Sequence, residues 1–164
     1  MFKVSHANVS FISGLIWICV GCFLLQMGLK LILDPTYAPG GSTPILSNIQ
    51  GVMGGLQEAG IALIAIALYI GYLKGKHLLR KSARQGVERL RSFPDPMPIQ
   101  NMYSPKYYIL LGGMIGLGMS MRFLGLPNDI RGGIDVAVGA ALINGALEYF
   151  RLGLALRKKR VDAS

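Results

Sequence analysis

The stretch VSFISGLIWICVGCFLLQMGLKLIL, residues 9–33, runs for 25 positions with Lys30 as its one charged side chain. Wound as an α-helix it reaches about 37 Å, more than the roughly 30 Å hydrocarbon thickness of a bilayer. It is too long for the apolar part of a secretory signal and lacks an A-x-A-like cleavage site. Cys19-Val20-Gly21-Cys22 has a faint look of a lipoprotein cleavage site, but apolar sequence continues past it to Leu33. The reading is a retained first membrane span.

Three more runs of this kind follow, at residues 49–73, 107–126 and 130–150. Together they predict an all-α integral membrane protein, a four-transmembrane-helix up-and-down bundle occupying residues 1–164 as one domain. Composition agrees. The chain is 52% hydrophobic and 15% charged, against about 25% charged in soluble proteins, and the longest polar connection, 74–106, is too short to build a separate core.

The net charge of +9 does not point to nucleic acid, because membrane proteins gather basic residues on their cytoplasmic side. Lys74, Lys76, Arg80, Lys81, Arg84, Arg89, Arg91 and Lys106 lie in the central connection, and Arg151, Arg157, Lys158, Lys159 and Arg160 follow the last run. The connection 34–48 has no basic residue. Both termini and the central connection are therefore expected in the cytoplasm, with a bacterial cytoplasmic membrane as the default location.

In the central connection, Leu79, Ala83, Val87 and Leu90 recur at helical spacing among arginines and lysines. That pattern predicts a basic amphipathic helix on the inner leaflet, with Lys74, Lys76, Arg80, Lys81, Arg84, Arg89 and Arg91 facing anionic lipid headgroups. Pro94, Pro96 and Pro98 end it. At the span ends, Asp34-Pro35 stops the first helix, Ser104-Pro105 starts the third, and Asp129 is placed to cap the fourth.

Small residues recur every four positions at Gly51, Gly55 and Ala59, and at Gly133, Ala137, Ala141 and Gly145. In lipid, such ribbons let helix backbones approach closely, so spans two and four are expected to pack through them. Gly112 and Gly116 form a shorter version in span three. Residues 60–68 and 139–147 are identical at six of nine positions, and Gly21 and Gly28-Leu29 correspond to Gly118 and Gly125-Leu126, the outline of two tandem helical hairpins.

Ionisable groups inside spans are functional candidates by default. Glu58 falls nine residues into the run 49–73, about 13 Å along the helix and near mid-membrane. Arg122 and Asp135 are equally far from the turn joining spans three and four, and are expected to pair. At the inner end of span four, Glu148 is expected to pair with Arg151. Cys19 and Cys22 are read as buried apolar cysteines, with soft-metal binding the weaker alternative. His6 and His77 form no zinc pattern, the Gly-Gly pairs read as packing features, and no phosphate-loop, nucleophile-elbow or dinucleotide fingerprint occurs.

The sequence thus predicts no catalytic residue, cofactor or metal. The expected role is a non-enzymatic bundle acting in assembly, as a homo-oligomer or with another membrane protein. The alternative is a small oligomeric carrier coupling transport to a proton or cation through Glu58.

Overall fold

The computed structural model describes residues 3–4, 6–34, 42–91, 97–98, 112–113, 116–121 and 123–161. Helix α1 spans His6–Leu33. It stops where the sequence places Asp34-Pro35, and the Asp34 N–H still donates to the Lys30 carbonyl at 3.0 Å.

The second apolar run is not one helix. Helix α2 covers Pro44–Met53 and ends on Gly54, whose φ of +93° is the left-handed conformation that glycine tolerates without a Cβ clash. Helix α3 then covers Leu56–Lys74. Gly54-Gly55, read from sequence as a packing feature, is a helix break. The membrane-length helix accordingly starts at Leu56, not at residue 49.

At the other end α3 does not stop. A π turn, Gly75–Leu79, leads into α4, Arg80–Arg91, with right-handed helical backbone at both junctions. Residues 56–91 are therefore one helical run, and α4 projects from the end of α3 against the bundle. Ala83 and Val87, from the predicted apolar stripe, are fully covered by Trp17, Leu142, Ala146 and Tyr149. Helix α5 spans Asn128–Val161. A two-residue antiparallel pairing, β1 Lys3–Val4 with β2 Met97–Pro98, completes the described elements.

Three of these stretches are long and apolar enough to cross a membrane: Ala7–Leu33, Leu56–His77 and Asn128–Lys158. Of the predicted span 107–126, residues 107–111, 114–115 and 122 lie outside the described residues. Residues 112–113, 116–121 and 123 are helical, and Met121 alone among them is buried.

The most extensive contact joins α1 to α5. It runs antiparallel through small residues spaced by seven: Ala7, Gly14, Gly21 and Gly28 meet Gly153, Ala146, Gly139 and Gly132 respectively. A Cβ on Gly28 would lie 2.6 Å from the Gly132 carbonyl oxygen, and one on Gly139 2.7 Å from that of Gly21. Close backbone approach at every seventh residue keeps one seam facing its partner, as in left-handed coiled coils.

Helix α3 packs on another face of α5, parallel to it. Leu63 lies by Gly133, Gly71 by Ala137 and Ala140, and Gly75 by Ala141 and Asn144. The four-residue ribbon predicted for span four thus divides. Ala137 and Ala141 form the α3 seam, and Gly145 is buried. Gly133 has ordinary contact at 3.9 Å, Gly51 has nothing within 4 Å, and Gly55 sits in the helix break. Among the described residues the hairpin repeat is not reflected in packing either, because Gly21 and Gly28 press on α5 whereas a Cβ on Gly118 or Gly125 would meet nothing within 4 Å.

Candidate functional site

Polar groups gather at the two ends of the bundle. At one end is Asp129, in the first turn of α5 and fully buried. Helix α2 begins with Pro44 after Thr43, whose side chain makes no cap hydrogen bond, so its first amides need an acceptor from elsewhere. Asp129 supplies it. Its Oδ2 accepts from the N–H groups of Ile45 at 2.6 Å and Leu46 at 3.2 Å, while Oδ1 accepts from Ile130 N–H at 2.8 Å. The Asn128 N–H donates to the Ser42 carbonyl at 3.0 Å. The sequence reading made Asp129 the cap of its own helix; the structure has it capping α2 as well, favoured by the positive N-terminal dipole of that helix.

Glu58 lies nearby and differs most from expectation. Since α3 begins only at Leu56, Glu58 is in its first turn, exposed, beside Gly55. The premise of a carboxyl at mid-membrane depended on an unbroken helix from residue 49. Asp135, one turn into α5 beyond Arg131, is buried, with the Arg131 charge within electrostatic reach. Its expected partner, Arg122, lies outside the described residues.

At the opposite end, Glu148 joins two helices. It is 8% exposed, and its Oε1 lies 2.7 Å from Arg80 Nε and 3.6 Å from Arg151 Nη1. The Arg80 N–H is not aligned for a hydrogen bond despite the short distance, so the contact is an ion pair. Sequence spacing identified Arg151; Arg80, 68 positions away, required the fold. At the same end the rings of Trp17 and Tyr149 pack with centroids 5.5 Å apart and planes tilted by 57°, and Asn144 Nδ2 donates to the Ala140 carbonyl at 3.0 Å.

Outward from Glu148 lies an open groove with a basic lining, formed by Lys76, His77, Arg80, Lys81, Arg84 and Glu88 among others. Lys74, Lys76, Lys81 and Arg84 are exposed. His77 Nδ1 is 2.9 Å from the Leu73 carbonyl; a carbonyl can only accept, so Nδ1 carries the proton and Nε2 is left for another partner. Arg89 and Arg91 are within α4, but their side chains are outside the described set.

Cys19 and Cys22 are free and exposed on α1, not buried as the sequence reading had them. Among the described residues no three His, Cys, Asp or Glu side chains cluster as metal ligands. Compared with known proteins, the chain matches no family model, no curated protein and no solved structure.

Proposed function

We propose that this chain is a four-span membrane bundle with no catalytic role, acting in assembly with copies of itself or with another membrane protein. Its outer surface supports a lipid setting. Ile12, Leu15, Phe23, Ile61, Ile66 and Leu154 are large apolar side chains left exposed on the long helices, more than water-facing helices carry without a partner.

The parallel packing of α3 and α5 is the observation that supports four spans. If both cross the layer in the same direction, the chain between them has to cross back, and 107–126 is the apolar run available for it. The pairing of Met97–Pro98 with Lys3–Val4 at one end, and of Asn128 with Ser42 at the other, agrees with such a return. Basic residues at the end shared by α4 and the tail of α5 support a cytoplasmic location for that end and both termini.

Assembly is favoured over transport by how the interior is filled. Glycine and alanine backbones close the α1–α5 and α3–α5 seams, while the carboxyl that carried the transport reading is exposed at a helix start. A Cβ on helical Gly112, Gly113, Gly116 or Gly118, by contrast, would meet nothing within 4 Å among the described residues, which suits close approach of another helix.

Reporter fusions at the N-terminus, in 92–96, in 35–41 and at the C-terminus test the threading, with the third alone expected outside. Gentle solubilisation tests the role: a stable oligomer or a stoichiometric membrane partner is expected, and a strictly monomeric, partnerless chain would count against it.

A further inference from the structure

We propose that the junction of α3 and α4 is a headgroup site for an anionic phospholipid, with Lys76 on the phosphate and Lys81 at its upper edge. The inference deepens the membrane reading above and rests on it. Three features of one continuous helix support it. The apolar surface of α3 ends with exposed Tyr69, Ile70, Tyr72 and Leu73, and tyrosines of this kind settle at the boundary between acyl chains and headgroups. Tyr69, Tyr72 and Leu73 precede Lys76 by seven, four and three residues, which puts them on its side of the helix. One lipid can therefore lay its chains along the aromatic strip and bring its phosphate to Lys76.

The second feature is the division of the basic residues by the fold. Arg80 is engaged by Glu148, while Lys76, Lys81 and Arg84 are exposed along one open groove. Ala83 and Val87 hold the opposite side of α4 against the bundle, so these cations are fixed in place.

The third feature is height. The helical backbone continues through the π turn into α4, so each residue beyond Leu73 stands at most about 1.5 Å further from the hydrocarbon edge. A headgroup layer of about 5–7 Å per leaflet then contains Lys74, Lys76 and His77. Arg84 follows Leu73 by eleven residues and Lys76 by eight, well past the end of the aromatic strip. The ligand is thus expected at the base of the groove, and the net positive lining selects an anionic over a zwitterionic headgroup.

The test uses the full chain reconstituted in phosphatidylcholine vesicles with and without phosphatidylglycerol, followed by native mass spectrometry of lipid retained after mild extraction. Phosphatidylglycerol should be retained over phosphatidylcholine, and Lys76→Gln should lower that enrichment about fivefold, from about 1 kcal/mol per basic residue near the surface. Arg84→Gln should change it less than twofold. Equal losses for the two variants would mean diffuse charge attraction and overturn the site, as would no enrichment in a chain that stays in the vesicles. Inorganic phosphate protecting the lipid-free protein from thermal unfolding as well as phosphatidylglycerol does would assign the groove to a free anion instead. A chain recovered in the aqueous phase would overturn the membrane reading itself.

Discussion

Gly21 of α1 and Gly139 of α5 face each other so closely that a Cβ on Gly21 would lie 2.9 Å from the Gly139 carbonyl oxygen, and one on Gly139 2.7 Å from that of Gly21. Neither position has room for even a methyl group unless the backbones part. In lipid, helix association depends on such backbone contact, since apolar side chains gain little by leaving acyl chains.

Gly139→Ala is expected to cost about 1–3 kcal/mol through overpacking, seen as a lower thermal midpoint in detergent. Gly133→Ala, six residues away on the same helix, meets only Leu63 at 3.9 Å and should stay within about 0.5 kcal/mol of the parent. Equal effects at both positions would contradict the seven-residue seam.

Asp129→Ala removes the acceptor of the Ile45 and Leu46 amides. A loss of about 1–2 kcal/mol is expected, with faster hydrogen exchange confined to the first turn of α2. Unchanged exchange at those two amides would show that Asp129 does not hold this helix in solution.

Arg80 and Glu148 tie α4 to α5. The Arg80 side chain is 43% exposed and that of Glu148 11%, so water screens part of the attraction, and a double-mutant cycle with Arg80→Gln and Glu148→Gln should give a coupling of about 1 kcal/mol. Additive single effects would make the pair incidental.

Glu58→Gln should leave thermal stability within about 0.5 kcal/mol, since the side chain is exposed in the first turn of α3. Proteoliposomes carrying it should match the parent in proton permeability. Proton-coupled flux abolished by this change would revive the carrier reading.

Membrane-length helices at the first and last runs, the stop at Asp34, and the helix carrying Ala83 and Val87 on one stripe were legible because each depends on local composition and helical period, whereas the stripe, expected on the inner leaflet, is buried against α1 and α5. The break at Gly54 was present in the sequence as a Gly-Gly pair, but glycine pairs serve helix packing in membranes as often as they end helices, and only backbone geometry separates the two. The seven-residue series from Ala7 to Gly28 and from Gly132 to Gly153 was equally visible. On α5 it runs beside the four-residue ribbon, because the helix offers one small-residue face to α1 and another to α3.

Residue chemistry alone thus determined that the chain forms helices long and apolar enough to cross a membrane, since apolar length and helical period need no knowledge of neighbours. Tertiary contact decided which glycines touch, that α3 runs parallel to α5, that Asp129 serves α2, and that Arg80 meets Glu148. Each is a relation between groups tens of residues apart, set by the register in which backbones close on one another, and no local pattern encodes that register.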